Sequence, residues 1–392
     1  MTPLWNHYVF RRGLEVEDLW DRMHSERRSS GGPIRLLYIA GCGFDVRAQI
    51  VMSKYVHSLL GSDCKIESAT LLLVEISGYE LSDELRSLTE ENGRALSEIF
   101  SAIGKTLQIV RAPAPDEDDV STNMALRFTT QQVLEQLTNQ TDIVLDVSSL
   151  PRILYLSIML GLLQRLVPDK DVENPLVADG VNLQVVVAED AALDGRIRSE
   201  DPSNDLILIP GYGGLLRVES VKHWPLVWFP VLGENRIGQF QKVIDAEVIP
   251  DLAEICPVLP HPSRNPRRGD QLLIEYRELL IDGRRTPVTN FLYAHEAHPF
   301  EAYRQLLGAM QRYLKSLSIM GGCQLVVTPL ASKLITLGTA LACFEMRPAK
   351  ETNYSVSIPY AEPTRYIATP SELRESKPDV SVLVLTGEAY MP

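Results

Sequence analysis

Two short polar turns hold the residues of this chain whose types and spacing are best suited to chemistry. The first, residues 41–47, reads GCGFDVR, and the second, residues 146–152, reads DVSSLPR. Each turn follows an apolar run and precedes a predicted helix, and the carboxyl ends of parallel strands form the ligand-binding edge of open α/β sheets. We therefore expect both turns to line one mouth, where carboxylates, hydroxyls and cations would bind a small polar ligand.

The first turn has the composition of a phosphate- or adenine-binding loop. Gly41 and Gly43 would let a ligand approach the backbone, and the start of the following helix would present free N–H groups. Val46 stands at the third glycine position of G-x-G-x-x-G, and Glu75, an acid suited to ribose hydroxyls, follows Gly41 by 34 residues (75 − 41 = 34). That motif places its acid about 20 residues on, so nicotinamide binding is disfavoured. A tight turn packed for structural reasons explains the glycines equally well.

Residues 38–48, YIAGCGFDVRA, resemble the first motif of class I S-adenosylmethionine-dependent methyltransferases, in particular the leucine carboxyl type. The resemblance implies cofactor contacts from Gly41, Gly43 and Asp45, a contact of Arg47 with the methionine carboxylate, and one of Glu75 with the ribose. The later aromatic-proline signature of many such enzymes is missing from this chain.

The second turn is similar to the nucleotide-sensing turn of CRISPR-associated Rossmann-fold proteins, which bind cyclic oligoadenylates at a dimer interface. The shared pattern is a strand, an Asp-x-Ser and a cation that opens a helix. The resemblance implies nucleotide contacts from Asp146, Ser148, Ser149 and Arg152, with residues 41–47 as the neighbouring loop. The paired glycines usual in that family are replaced here by Ser149-Leu150.

Structural roles compete with ligand binding at the second turn. Asp146 is as well suited to capping its own turn through backbone N–H groups. If the residues of this turn have structural roles, Arg152 would form an ion pair with Asp146 or Asp45. Ser149 is the predicted N-cap of the following apolar helix, with Pro151 in its first turn.

The second half of the chain repeats part of this pattern. The segment VTPLASKLITLGTALA resembles LDVSSLPRILYLSIMLG in that a cation, Lys333 or Arg152, opens an apolar helix after an apolar strand. Lys333 is therefore a further candidate for phosphate binding, although it would also neutralise the carboxyl end of its strand. An internal duplication explains the likeness, and so do two unrelated buried strand–turn–helix segments.

Alternation of apolar strands and helices predicts an α/β protein with a Rossmann-like, mostly parallel sheet, helices on both faces, and a second α/β half. We place an N-terminal arm at 1–32, the Rossmann-like domain at 33–232 and the second domain at 233–392. The segment 271–281 is ambiguous and favours a strand. The aromatic run HWPLVWF at 223–229 fits either a core strand or a partner contact.

Composition limits the class of protein. The net charge of −13 and pI near 5.1 argue against broad nucleic-acid binding and against binding to anionic membranes. The five cysteines show no paired spacing, which favours reduced thiols over disulfides or zinc. The N-terminus lacks a signal-peptide core, and the apolar segment 153–163 is shorter than the ~18 residues that span a bilayer. We expect a cytoplasmic protein.

No established catalytic or metal-binding motif is present in the sequence. His295 and His298 do not have the H-E-x-x-H spacing, so we expect no metal, and the arginines of the proline-rich segment 257–268 are best explained as a solvated loop. The leading hypothesis is a nucleotide-responsive sensor or regulatory subunit of a bacterial signalling or defence assembly. It would bind a nucleotide or other small phosphorylated ligand and form a homo-oligomer or bind a protein partner. A methyltransferase using S-adenosylmethionine and a non-catalytic scaffold are the alternatives, so the sequence leaves open whether the protein is an enzyme.

Overall fold

The computed structural model describes residues 2–76, 78–104, 106–112, 122–168, 172–177, 180–203, 205–214, 223–348 and 352–391. Within these residues the chain is a mixed α/β protein with parallel-rich sheets, which confirms the predicted fold class. The strands are β1 (Val9–Arg12), β2 (Ile34–Cys42), β3 (Ile66–Ile76), β4 (Thr106–Ala112), β5 (Asp142–Asp146), β6 (Asn182–Glu189), β7 (Arg198–Pro202), β8 (Ile207–Gly213), β9 (Leu226–Val231), β10 (Glu254–Ile255), β11 (Val258–Pro260), β12 (Leu292–Ala294), β13 (Cys323–Pro329), β14 (Tyr354–Tyr360), β15 (Pro363–Ile367) and β16 (Asp379–Thr386).

The helices alternate with these strands along most of the chain. They are α1 (Glu15–Ser30), α2 (Arg47–Gly61), α3 (Asp83–Phe100), α4 (Thr122–Glu135), α5 (Arg152–Leu166), α6 (Ala191–Asp194), α7 (Ile237–Asp245), α8 (Arg268–Glu275), α9 (Pro299–Leu317), α10 (Lys333–Glu345) and α11 (Pro370–Glu375).

The chain divides into two compact units. We call Leu4–Arg198 together with Tyr366–Pro392 the first unit, and Ser199–Arg365 together with Met1–Pro3 the second unit. The boundaries drawn from the sequence, 32/33 and 232/233, assumed contiguous domains and stay a prediction. Compactness instead groups the C-terminal strand β16 with the first unit, because β16 pairs with β6.

The first unit contains a seven-stranded sheet in the order β1-β16-β6-β5-β2-β3-β4. Strands β2 to β6 are parallel to one another, whereas β16 is antiparallel to β6 and β1 is antiparallel to β16. Numbered along the chain, the parallel strands stand in the order 3-2-1-4-5, the arrangement of a doubly wound Rossmann fold. Its topological switch point lies between β2 and β5.

The core of the first unit follows from the apolar character of its central strands. Leu36, Tyr38 and Ala40 alternate along β2 and pack with α1, α2 and α3 on one face of the sheet. Helix α5 is apolar around its whole circumference and packs against α4, as expected for a helix buried on several sides. The predicted N-terminal arm contributes β1 and α1, and the buried Trp20 of α1 donates to Gln184 Oε1 at 2.9 Å.

The second unit contains a sheet with the path β12-β11-β9-β13-β14-β8, with β10 pairing with β9. Strands β9, β11, β12, β13 and β14 are parallel, and β8 is antiparallel to β14. Along the chain these parallel strands again stand in the order 3-2-1-4-5, followed by an antiparallel strand. The two units thus share the order of their parallel strands, whereas the antiparallel strand comes after the parallel strands along the chain in the first unit (β16) and before them in the second (β8).

One local prediction is corrected by the structure, and one open alternative is decided. Residues 271–281 are helical, in α8 and a π-helical segment Glu278–Gly283, because their apolar side chains Leu272, Tyr276 and Leu280 recur at a helical period of four. The aromatic run of 223–229 enters β9, where Trp228 and Phe229 are fully buried. A partner could not reach those two side chains in this conformation.

No helix among the described residues is both long enough and apolar enough to cross a membrane.

Candidate functional site

The two turns predicted to share a mouth lie side by side at the switch point of the first unit. In the register of the parallel pair β2–β5, Ala40 is opposite Asp146, so Gly41 and Val147 leave the sheet next to each other. On the other side of β2, Cys42 is opposite Glu75 at the end of β3. The prediction that the two turns lie at one edge of the sheet is therefore confirmed, since the polarity of parallel strands brings these ends together.

The glycines of the first turn are packed against the second turn. A methyl group on Gly41 would lie 2.8 Å from the Ser149 carbonyl oxygen, and one on Gly43 would lie 2.6 Å from the same atom. The Ser149 hydroxyl donates to the Gly41 carbonyl oxygen at 2.6 Å. Backbone of this chain thus occupies the space beside these glycines, and the structural interpretation accounts for both of them.

The sequence predicts Ser149 as the N-cap of α5, and this prediction is wrong. The N-cap residue is Pro151, and the start of the helix has no side-chain cap. The Ser149 hydroxyl is used instead across the turn, on Gly41. Helix α5 therefore begins without the hydrogen bond that an N-cap side chain usually accepts from the first turn.

Asp146 and Ser148 are fully buried and bind within the fold. The Ser148 N–H donates to Asp146 Oδ1 at 2.9 Å, which is the turn-capping role considered for Asp146. The Tyr38 hydroxyl donates to Asp146 Oδ2 at 3.0 Å, and burial together with this carboxylate raises the pKa of Tyr38 well above its ordinary value. The Ser148 hydroxyl accepts from the Ala188 N–H at 2.9 Å. These contacts join β2, β5 and β6 at their carboxyl ends.

Asp45 and Arg47 form a buried ionic group with a third residue, Asp194. Arg47 donates from Nε and Nη2 to the two Asp45 oxygens at 2.8 and 2.7 Å, and from Nη1 to Asp194 Oδ1 at 2.7 Å. Burial alone would lower the pKa of Arg47, but the two carboxylates outweigh it and raise that pKa above its ordinary value. The Arg47 side chain is 2% exposed and the Asp194 side chain 37% exposed.

Glu75 lies apart from this ionic group, on the β3 side of β2. Its Oε2 accepts from Arg111 Nε at 2.8 Å, and the two side chains are 35% and 78% exposed. An exposed pair of this kind contributes little to stability. Glu75 is therefore accessible to a ligand. This exposure is compatible with the binding role that the sequence predicts for it.

An apolar cluster covers the same edge of the first sheet. Its buried members are Leu85, Leu88, Leu193 and Leu373. The partly buried side chains packed on them are Phe44 and Val46 of the first turn, together with Leu81, Ile197 and Ala368. The aromatic rings of Phe44 and Tyr366 lie 5.8 Å apart. This cluster and the Asp45–Arg47–Asp194 group together close over the edge that the sequence predicted to be a mouth.

Arg152 and Lys333 hold equivalent places in the two units. Each is the first residue of an apolar helix that begins without a side-chain cap, α5 or α10, and each is partly exposed. Three residues before Lys333, the Leu330 carbonyl oxygen lies against Gly233, as the Ser149 carbonyl does against Gly43. Lys333 belongs to the second unit, and its role in binding stays a prediction.

The second unit has its own charged group, which sequence reasoning missed. Arg268 donates from Nε and Nη2 to Glu234 and from Nη1 to Glu296 Oε2 at 2.7 Å. Burial would raise the pKa of both glutamates, but hydrogen bonds, including those from Arg268, lower it overall. Arg268, which had been assigned to a solvated loop, is instead partly buried between two carboxylates.

The histidines of the second unit have structural roles. His298 is the N-cap of α9 and accepts from the Glu301 N–H, and His295 Nδ1 accepts from the Ala297 N–H. Among the residues that the structure describes, no group of three or more His, Cys, Asp or Glu side chains is arranged to hold a metal ion.

Asp194 is the first-unit residue that the sequence analysis did not find. It follows β6, the fifth parallel strand, and strand order alone places the ends of β2, β5 and β6 next to each other. A search that included the polar residues after the fifth parallel strand would have made Asp194 a candidate.

No protein-family model matches the chain, and no curated protein matches it at a significant level. The chain is similar to two crystal structures, one of a protein provisionally classed as a universal stress protein from Pseudomonas aeruginosa UCBPP-PA14 and one of a functionally unknown protein from Pseudomonas aeruginosa PAO1. The first is 11% identical, with a TM-score of 0.22, over 87% of this chain and 97% of that one. The second is 10% identical, with a TM-score of 0.21, over 87% and 96%. At these scores the similarities assign no function to the chain.

Proposed function

We propose that this chain is a regulatory protein that binds a nucleotide or related phosphorylated ligand at the carboxyl-end edge of its Rossmann-like sheets. The observation that carries the proposal is the repeated arrangement of Arg152 and Lys333. Each cation begins an apolar helix without a side-chain cap, beside the switch point of its sheet. Backbone N–H groups at a helix start and a neighbouring cation together favour an anion such as phosphate.

The buried polar groups of the first unit are poorly placed for catalysis. Asp146, Ser148 and Asp45 are buried and donate to or accept from neighbours within the fold. A general base or nucleophile must instead be within hydrogen-bond reach of a substrate. A role as sensor subunit of a bacterial defence assembly rests only on the resemblance of residues 146–152 to the CRISPR-associated proteins.

Methyl transfer is the second candidate, and its support is Glu75. This acid ends the strand next to the glycine turn and is 35% exposed, a place suited to ribose hydroxyls. The glycines themselves give this hypothesis less support, because Ser149 fills the space beside them.

Calorimetric titration separates these hypotheses. We would titrate ATP, AMP, cyclic tetra-adenylate, S-adenosylmethionine and S-adenosylhomocysteine into the wild type, Arg152→Ala, Lys333→Ala and the double variant. A charge-assisted contact worth about 1.5–3 kcal/mol predicts a loss of roughly 10- to 100-fold in nucleotide affinity for the variant whose unit binds the ligand.

Two exposed cations serve as matched controls: Arg165, near the other end of α5, and Lys315, in α9. Arg165→Ala and Lys315→Ala should bind as the wild type does. Nucleotide binding of wild-type affinity by the double variant would contradict the proposal. The absence of a binding signal with every nucleotide would also contradict it. Heat released only with the two methionine compounds would favour the methyltransferase.

A further inference from the structure

The Asp45–Arg47–Asp194 group connects loops on either side of β5. Asp45 and Arg47 follow β2, Asp194 follows β6, and β5 lies between those two strands. The guanidinium therefore joins the loops across the carboxyl end of β5, where the turn of residues 147–150 begins. In that turn Val147 and Ser148 are fully buried and Leu150 is 3% exposed.

The two halves of this bridge differ in strength. Arg47 binds Asp45 through two parallel hydrogen bonds, and Asp45 also accepts from the Arg47 N–H at 3.2 Å. Asp194 contributes a single hydrogen bond to Arg47 and is 37% exposed, against 10% for Asp45. A bidentate, buried pair is stronger than a single, partly exposed one. The weak link is therefore the contact between Arg47 and Asp194.

The charged group of the second unit lies elsewhere on its sheet. Glu234, Arg268 and Glu296 follow β9, β11 and β12, the first three parallel strands of that sheet. This group does not run across the end of β13, the strand that corresponds to β5. The bridge over the fourth parallel strand of the first unit thus has no counterpart in this group.

We propose that the Arg47–Asp194 contact is an ionic strap that holds the edge of the first sheet closed, and that an anionic ligand opens it by replacing the Asp194 carboxylate on Arg47. The Asp194 carboxylate stands in for a phosphate oxygen in this arrangement. A ligand can shift such an equilibrium only by binding the open form more tightly, and the freed Arg47 Nη1 supplies that difference. This proposal rests on the proposed function for its ligand, whereas its closed state can be tested without one.

Hydrogen exchange of the ligand-free protein tests the strap. Asp194→Asn keeps the shape of the side chain and removes its charge. We expect at least tenfold faster exchange at the amides of Val147, Ser148 and Ala188, which donate to Val186, Asp146 and Ser148 at 3.0, 2.9 and 2.9 Å. Amides in the middle of β2 should exchange as in the wild type. If the exchange rates of the three amides are unchanged in Asp194→Asn, the strap proposal is wrong. It is also wrong if exchange becomes faster throughout the first unit.

Arg196→Ala is the matched control for the exchange experiment. It removes the Arg196–Glu372 ion pair at 2.6 Å from the same loop, on the solvent side, with side chains 57% and 33% exposed. Because this pair does not join the loops on either side of β5, we expect no change at Val147, Ser148 or Ala188. Equal acceleration in both variants would mean that any loosening of the loop suffices, which overturns a specific role for Arg47–Asp194.

Binding measurements with anionic ligands test whether a ligand displaces the Asp194 carboxylate from Arg47. ATP and inorganic pyrophosphate should bind Asp194→Asn at least tenfold more tightly than the wild type, because the competing carboxylate is gone. Equal affinities overturn the displacement, as does a complete lack of binding by both proteins. That last result would also refute the proposed function, while the exchange data would still decide whether the strap closes the edge.

Discussion

Asp146 is held by groups that lie far from it along the chain. Its two carboxylate oxygens accept from the Tyr38 hydroxyl, which is 108 positions away, and from the Ser148 N–H two positions on. Burying a polar group costs free energy unless it is hydrogen-bonded, so these donors offset the burial of Asp146 at the end of β5. The same residue type that suggested ligand binding thus serves to position the turn.

Gly43 should be intolerant of a side chain for packing reasons. Gly43→Ala would place a methyl group 2.6 Å from the Ser149 carbonyl oxygen, which is backbone and has little freedom to move. We expect a loss of about 1–3 kcal/mol in the free energy of unfolding, as is usual for overpacking. Urea denaturation followed by intrinsic fluorescence measures this loss.

Gly61→Ala provides the comparison for this prediction. Gly61 is the last residue of α2, and a methyl group there would meet nothing within 4 Å. The variant should be unchanged or more stable by up to about 1 kcal/mol, because alanine favours the helix. If Gly43→Ala were as stable as Gly61→Ala and lost only ligand affinity, the glycine would serve the ligand and the packing explanation would be wrong.

His24 should make the first unit sensitive to acid. Burial lowers the pKa of His24 from 6.5 to about 4, with Asp142, Asp21 and Arg27 as its charged neighbours. The unfolded state then takes up a proton at higher pH than the folded state does, so stability is lost as pH falls from 6.5 towards 4. We expect His24 to account for about 2 kcal/mol of the decrease in unfolding free energy between pH 8 and pH 5.

The measurement is a pair of urea denaturation series across that pH range. In His24→Gln the decrease between pH 8 and pH 5 should be smaller by the stated amount. His57→Gln, at an exposed position of α2, should follow the wild type. Parallel curves for the wild type and His24→Gln would show that His24 is not the group responsible.

At the scale of elements, the two units repeat one strand–turn–helix arrangement. Gly43 precedes the start of α2 by four residues, as Gly233 precedes the start of α7, and each glycine lies against the turn that leads into α5 or α10. The repetition extends to the 3-2-1-4-5 order of the parallel strands, but the antiparallel strand comes after them along the chain in the first unit and before them in the second. The shared strand order and turn geometry support a duplication more strongly than the sequence likeness of residues 145–161 and 327–342 does.

The charged groups show where the repetition ends. Each unit places one arginine between two carboxylates at the carboxyl end of its sheet, Arg47 in the first and Arg268 in the second. In the first unit the arginine begins the helix after the first parallel strand, and in the second it begins the helix that follows β11. The same electrostatic arrangement is therefore reached from different positions, and the strap proposal applies to the first unit alone.

At the scale of the whole molecule, the first unit is built from both ends of the chain. Strand β16 lies between β6 and β1, and its Val382 and Val384 are fully buried. The Trp5 indole donates to the Leu385 carbonyl oxygen at 3.0 Å. The first sheet is complete only after residues near the C-terminus have been added.

A truncation after residue 375 should therefore prevent the first unit from folding. Removing β16 exposes apolar side chains of β6 and separates β1 from the sheet, so we expect an aggregated product or one without cooperative unfolding. Removing only residues 391–392, of which Met391 is 54% exposed, should leave the unfolding transition unchanged. Size-exclusion chromatography and thermal denaturation report both outcomes, and a folded, cooperative 1–375 fragment would contradict the prediction.

The sequence by itself determined the fold class, most elements and the edge of the sheet at which the polar turns lie. Apolar periodicity is a local signal, and the polarity of parallel strands then brings the turns at 41–47 and 146–152 to one edge. The strand prediction for residues 271–281 is wrong because the apolar spacing of so short a segment fits both the strand period and the helix period.

Only the tertiary structure decided what occupies that edge. Ser149 fills the space beside Gly43, Asp194 binds Arg47, and β16 completes a sheet begun at β1. These contacts join residues roughly 100 or more positions apart, and their formation depends on packing and hydrogen bonding in three dimensions. No local spacing encodes such contacts, so an edge predicted to be an open mouth is, in the folded chain, closed by its own side chains and backbone.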